Sequence, residues 1–306
     1  MLIECVPNVS EGRDRDVVER LAGAIRGVDG VTLMNVHADP DHHRSVFSFL
    51  GSAAAVEAAA RALADAALAA IDMRQHHGRH PRLGALDILP FVPLAGAPMS
   101  AAIAVAERAG AAIAARHALP VYFYAQAARR PDRRRLPDVR RGEYEGLPAR
   151  LVAADGAPDV GPARFDARAG AVIAGARDVL VAFNVWLDSD DLAAARGIAR
   201  TVRTSGGGLP AVQALGVPLP SRGIVQVSLN LLDVRVTPLP VVFDRVQEEA
   251  RRRGLAVRRG ELVGVAPRAA FAGRPPAAVG LTDFSDALLL ETWVEAALSR
   301  GERSGA

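Results

Sequence analysis

All seven histidines but one fall in two short stretches of the chain. The first runs His37-Ala38-Asp39-Pro40-Asp41-His42-His43-Arg44, and the second His76-His77-Gly78-Arg79-His80-Pro81-Arg82; only His117 lies elsewhere. Imidazole exchanges protons near neutral pH and is also a common metal ligand, so the pattern points to an acid–base or a metal site. Gly78 and Pro81 forbid a regular helix, which places these side chains on shaped loops between apolar runs. His76 and His80 are therefore not stacked on one helix face as two metal ligands would be. A general acid–base histidine among substrate-orienting polar groups is the preferred chemistry. A zinc or iron site completed by Asp39 or Asp87, and with it a metal-dependent hydrolase, is the competing one.

Composition narrows the function classes. The chain has 306 residues, half of them hydrophobic, and a single cysteine, Cys5, so neither an internal disulfide framework nor a Cys-rich zinc site is available. It contains no lysine, which excludes Schiff-base chemistry, pyridoxal phosphate and a Walker-type phosphate loop. A net charge of +3 does not by itself argue for nucleic acid. The run Arg129-Arg130-Pro131-Asp132-Arg133-Arg134-Arg135, followed by Arg140-Arg141, reads either as a solvated loop or as a dock for an anionic ligand. Met1-Leu2-Ile3-Glu4 does not resemble a secretory signal, and charges interrupt every Ala-rich segment; the expectation is a cytoplasmic protein without a membrane span.

Elements that would carry the loops follow from periodicity. Apolar runs at Leu2–Val6, Val31–Val36, Ser45–Leu50, Ala85–Val92 and Pro120–Tyr124 predict strands. Helical patterns cover Asp14 to Ile25, Ser52 to Met73 and Ser100 to Ala118. A second series follows the Gly/Pro/Ala-rich stretch from 156 to 170, with runs at Ala171–Ala174 and Val179–Leu187, then a helix over 190–203. Strands at 211–219 and 224–232, a helix over 238–253 and a short strand at 261–265 complete it. The first half reads β-α-β-β-α-β-α-β and the second β-α-β-β-α-β, the split βαβ order of ferredoxin-like folds. The α/β (α+β) architecture thus expected has an N-terminal subdomain over 1–177 and a C-terminal one over 178–267. A Pro- and Gly-rich linker from 267 to 280 leads, within 268–306, to an amphipathic helix over 283–299.

Collinear motifs then carry a resemblance. They include Glu4-Cys5-Val6-Pro7-Asn8-Val9-Ser10-Glu11-Gly12, Gly78-Arg79-His80-Pro81-Arg82-Leu83-Gly84-Ala85-Leu86-Asp87, Ala127-Ala128-Arg129 and Arg141-Gly142-Glu143-Tyr144-Glu145. Others are Ala157-Pro158-Asp159-Val160-Gly161-Pro162, Gln226-Val227-Ser228-Leu229-Asn230-Leu231-Leu232-Asp233 and Glu261-Leu262-Val263-Gly264. In this order, over roughly residues 1–267, they resemble the formiminotransferase family. The resemblance implies two ferredoxin-like subdomains with a folate cleft between them, and a homodimer. It also implies transfer of a formimino group from N-formiminoglutamate to N5 of tetrahydrofolate, a step of histidine degradation and one-carbon metabolism. Tetrahydrofolate would be a co-substrate with no metal required. Partners would be small molecules rather than nucleic acid or membrane.

Residue by residue, the resemblance places the acid–base catalyst on His80. Substrate contacts fall on His37, Arg44, Arg82, Gln126 and Arg129, and the folate segment on Gly161, Pro162, Ala163, Arg164, Phe165, Asp166, Ala167, Arg168, Ala169 and Gly170. The chain departs from the family where His37 stands for an acidic residue, Ala125-Gln126 for a Gly-Glu pair, His43 for an asparagine, and Asp166-Ala167-Arg168 for the usual centre of the folate segment. Losing two carboxylates leaves two alternatives open: formyl transfer from a neutral donor such as N-formylglutamate, or a folate-binding protein with little turnover.

Overall fold

A computed structural model describes residues 1–304, with side chains to residue 300. The chain forms two compact units, Met1–Arg177 and Asp178–Ala306. In the first, β1 (Leu2–Cys5) and β2 (Asn8–Val9) share one lane of the sheet, broken at Pro7, whose carbonyl still accepts from Phe47 N–H at 3.0 Å. Next come α1 (Arg15–Arg26), β3 (Val31–Asp39), β4 (Arg44–Gly51), α2 (Ala53–Ala70) and β5 (Leu86–Leu94). Pairing runs β3–β4–β1/β2–β5, all antiparallel, the order a ferredoxin-like βαββαβ unit requires. After α3 (Met99–His117) and β6 (Val121–Ala125), the sheet is widened by β7 (Val172–Ala176), parallel to both β5 and β6.

Local chemistry accounts for the helices. Asp14 caps α1 by accepting from Asp16 and Val17 N–H, and Val17, Val18, Leu21 and Ile25 form its buried stripe. Ser52 caps α2, whose alanines let it approach α1 and α3 closely. These helices cover one face of the sheet, against Phe47, Phe49, Leu89, Phe91, Val121 and Phe123. On the other face the helices α4 (Leu136–Val139) and α5 (Glu143–Val152) pack Val139, Leu147 and Leu151 onto Tyr122, Tyr124, Ile88 and Ile173. Polar residues Glu4, Asn8, Arg44 and His37 share that second face, since their strand partners Leu50, Val46, Val92 and Ile88 alternate with the core phenylalanines.

The second unit is a complete βαββαβ: β8 (Val181–Leu187), α6 (Leu192–Val202), β9 (Val212–Leu219), β10 (Ile224–Leu231), α7 (Leu239–Arg252) and β11 (Val257–Val263). Its sheet order β11–β8–β10–β9 is again the ferredoxin-like one. No helix among the described residues is long and apolar enough to cross a membrane.

Several sequence expectations need correction. The Ala171–Ala174 run belongs to the first unit, as β7, rather than opening the second half. His37 and Asp39 are not on a loop: β3 extends through them because they pair with Val46 and Arg44 of β4. Helices α4 and α5 were unexpected, because prolines and Gly142 break their periodicity and their few apolar residues are scattered among arginines. The stretch read as a linker is packed: Ala270, Phe271 and Val279 are buried in the core of the second unit. The final helix, α8 (Leu290–Ser304), starts later than expected because a tight turn at Asp286–Leu288 leads into an extended Leu289. It also continues beyond Gly301.

Burial raises Glu4 to about 7, with Arg177 acting in the opposite direction. An unfolded Glu ionises near 4.3, so this group favours the folded state below that pH, and the contribution is lost as pH rises towards 7. Glu4→Gln cannot ionise. Urea unfolding should therefore find it more stable than wild type at pH 8 by about 3–4 kcal/mol and within about 0.5 kcal/mol of it near pH 4.5. Equal stabilities at both pH values would mean that Glu4 is hydrated in the folded chain.

Candidate active site

His80 lies on the loop between the short turn Met73–Gln75 and β5. The loop is held rigidly from both sides. His76 Nε2 is 2.8 Å from the His43 carbonyl, and Arg82 Nε–H donates to His76 Nδ1 at 3.2 Å. A carbonyl can only accept, so His76 is fixed as the neutral Nε2–H tautomer with both nitrogens occupied. Its ring stacks on His43 with centroids 4.4 Å apart. Burial and the neighbouring His76 push His43 down to about 4, although Glu11 favours its charged form. Gly78 is backed against the His42 carbonyl and the His76 ring, where a Cβ would collide. Ser10 Oγ donates to the Gly84 carbonyl at 2.8 Å, tying the far end of the loop to β2.

Arg82 is consumed by this bracing. Its guanidinium donates to both carboxylate oxygens of Glu145, at 2.8 and 2.6 Å, while the Arg82 carbonyl accepts from Tyr144 N–H at 2.9 Å. The expected substrate contact is thus a fastener between the loop and α5. Half of the expected folate segment has a similar role. Asp166 Oδ1 accepts from Arg168 and Ala169 N–H, and the turn it makes presents the Arg168 and Ala169 carbonyls to Met73 and Ala85 N–H. Gly161, Ala163 and Arg164 are exposed, as are Ala167 and Arg168.

The charged centre of the site is Asp87, fully buried at the start of β5. One oxygen accepts from Leu83 N–H at 2.8 Å; the other is shared by Arg44 Nη1, at 2.6 Å, and Arg140 Nη2. Arg44, on β4, also donates Nε–H to Asn8 Oδ1 at 2.9 Å. Burial works to raise the Asp87 carboxyl, but Arg140 and Arg44 outweigh it and hold it below the usual range. Burial lowers Arg44 to about 10, still far enough above neutral pH that its guanidinium stays charged. Two cations face one anion, and the cluster carries a net positive charge.

That surplus acts on His80, whose pKa is driven well below 6.5 by burial and then by Arg44, Arg140 and His42. His80 Nδ1 lies 2.8 Å from the Pro81 carbonyl, which requires the Nδ1–H tautomer and leaves the lone pair on Nε2. At neutral pH His80 is therefore an uncharged base with its tautomer fixed. The imidazole beside it is that of His42, ring centroids 5.7 Å apart, while His37 stands on β3 opposite Val46. Gln126 and Arg129 sit exposed just past β6; Arg129 lies over the Phe123 ring and donates to the Asp159 carbonyl. Of the neighbouring arginines, Arg133 is buried against Asp159 and Tyr122, whereas Arg134, Arg135 and Arg141 are exposed. Among the described residues no group of three or more His, Cys, Asp or Glu side chains could hold a metal ion.

Arg140 was missed by sequence reasoning, as was the central place of Asp87. The Arg140-Arg141 pair was visible, but only the turn after α4 shows which of the two points inward. Arg140 is partly buried on Asp87, whereas Arg141 is exposed.

Comparison with known proteins gives the lineage of this arrangement. A family model described as the N-terminal subdomain of the formiminotransferase domain matches residues 2–177, and one described as the formiminotransferase domain matches 182–274. Glutamate formimidoyltransferase of Streptococcus pyogenes serotype M1 is 39% identical over 88% of this chain and 90% of its own. The protein of the same name from Thermoplasma acidophilum is 40% identical over 97% of this chain and 98% of its own. Formimidoyltransferase-cyclodeaminase of Sus scrofa is 42% identical over 87% of this chain, which spans 50% of that protein.

Removing the anion from the buried cluster would leave two guanidiniums without a counter-charge. Asp87→Asn should therefore cost about 3–5 kcal/mol in urea unfolding at pH 7. Because the folded pKa of Asp87 is depressed, its contribution is present above about 3.9 and is lost as pH falls through the folded value. The gap between wild type and variant should narrow on acidification. A gap below about 1 kcal/mol at pH 7 would mean that the arginines find other partners.

Proposed function

Since this chain belongs to the formiminotransferase family, we infer that it is a glutamate formimidoyltransferase and that His80 carries its proton transfers. The donor would be N-formiminoglutamate and the acceptor N5 of tetrahydrofolate, with the exposed part of the Gly161–Gly170 segment offered to the folate. The observation that supports this reading most is the state of His80: neutral, with Nδ1–H bonded to the Pro81 carbonyl and the Nε2 lone pair free to accept.

The reaction needs one proton to move twice. N5 attacks the formimino carbon, and a C–N5 bond forms as His80 Nε2 takes the N5 proton. A tetrahedral intermediate results. His80 then returns that proton to the glutamate nitrogen as the C–N bond to glutamate breaks, so glutamate leaves as a neutral amine and the imidazole is restored. A base that stays neutral in a positive environment is ready for the first step, and its cation gives up the proton readily in the second. The bracing by His76, Arg82 and Gly78 holds the ring in place throughout, so little reorganisation is needed during the reaction.

His80→Ala should fold with wild-type stability and lose ~10²–10⁴-fold in kcat for N-formiminoglutamate and tetrahydrofolate. Absorbance of the folate product measures it. A variant turning over near the wild-type rate would remove His80 from the mechanism, and a wild type inactive with this donor would remove the reaction itself.

A further inference from the structure

Proton transfer through His80 leaves the surplus charge beside it unused. Asp87 already accepts three hydrogen bonds: one oxygen takes Leu83 N–H and the other is shared by two guanidiniums. Arg140 Nε–H is buried and has no acceptor among the described residues. Arg44 commits Nε to Asn8 and Nη1 to Asp87. Arg82, the other arginine of the loop, is closed by Glu145 and His76. The cluster thus presents a buried donor and two guanidiniums that share one oxygen of a single carboxylate.

We propose that Arg140, together with Arg44, is the subsite for a carboxylate of the amino-acid donor, and that seating this carboxylate is what allows His80 to hold a proton. The proposal rests on the formimino-transfer reading and adds to it where the donor lies and when the base becomes competent. Guanidinium forks suit carboxylates, and such charge-assisted bonds are the strong ones. The groups that act most on His80 are Arg44 from β4, Arg140 from the turn after α4, and His42 from the β3–β4 turn; Asp87 lies behind the arginines, and the buried Asp39 and Asp41 stand beside His42 at the same turn. A bound carboxylate brings the arginine–aspartate cluster to neutrality, so an imidazolium beside it is no longer opposed by a net positive neighbour. By linkage, protonation of His80 must tighten the carboxylate by the same factor. The base is then weak in the empty site and stronger when the donor is present. After the formimino group has moved and glutamate leaves, the site returns to its cationic state.

Calorimetric titration of L-glutamate at pH 6, in two buffers of different ionisation enthalpy, reads both halves of the proposal. Wild type should bind saturably and take up protons, and His80→Ala should bind without uptake. Arg140→Gln leaves Asp87 paired one-to-one with Arg44, so it should fold; it should bind glutamate more weakly, on the order of tenfold or more, and without uptake. Arg140→Lys, which keeps the charge, should recover part of both. Saturable wild-type binding without proton uptake, absence of binding, or an Arg140→Gln variant that behaves as wild type would overturn the proposal. Turnover of N-formiminoglutamate measured on the same wild-type sample separates the two readings. Turnover without proton-linked glutamate binding overturns the subsite alone, and absence of turnover overturns the transfer reading.

Discussion

One buried carboxylate serving two guanidiniums is the constraint on which the site depends. A one-to-one pair would have been electrically silent at short range; the second arginine makes the cluster a permanent cation beside His80. Burying such a triad carries a desolvation penalty that a hydrophobic replacement would avoid. Its presence is intelligible from what it does to the neighbouring imidazole. Burial alone lowers the proton affinity of a histidine, and the two arginines lower it further, so His80 stays neutral at physiological pH.

The rest of the first unit can be understood as the support for that geometry. Asp87 and Arg44 start adjacent segments of the sheet, and Asn8 lies between their strands, so strand pairing sets their separation. Arg140 arrives from the opposite side on the α4–α5 segment, which is itself fastened to the histidine loop through Arg82 and Glu145. Loop, sheet edge and helical hairpin therefore fix one another, and a change in any of them moves the charges felt by His80. The histidine-rich appearance of the loop divides into roles. His76 is a neutral structural spacer, His43 a turn residue with a left-handed backbone (φ 50), His42 a neighbour that adds to the local positive potential, and His80 the imidazole whose Nδ1 is held by the Pro81 carbonyl.

Much of this was legible in the sequence where periodicity and capping were strong. The helix expected from Asp14 is capped by Asp14, the alanine-rich helix after Ser52 is capped by Ser52, and the βαββαβ order holds in both units. The illegible parts share a physical cause: polar residues whose partners are distant in sequence. His37 and Asp39 read as loop because the polar end of β3 faces the site rather than the core. The segment from 136 to 152 gave no helical pattern because its helices are short and use only a few apolar anchors. The resemblance puts a substrate contact on Arg82, yet Glu145, 63 residues away, pairs with it, while Arg140, 53 residues from Asp87, points into the charged centre.

The central claim, that His80 is a neutral base with its proton on Nδ1, is tested most directly by nitrogen-15 NMR of the imidazole in the ligand-free protein, followed through pH titration. The account predicts that the His80 resonances report the Nδ1–H tautomer and stay in the neutral position down through pH 6, well after an exposed histidine has begun to protonate. Resonances of the Nε2–H tautomer, or protonation at or above pH 6.5, would contradict it.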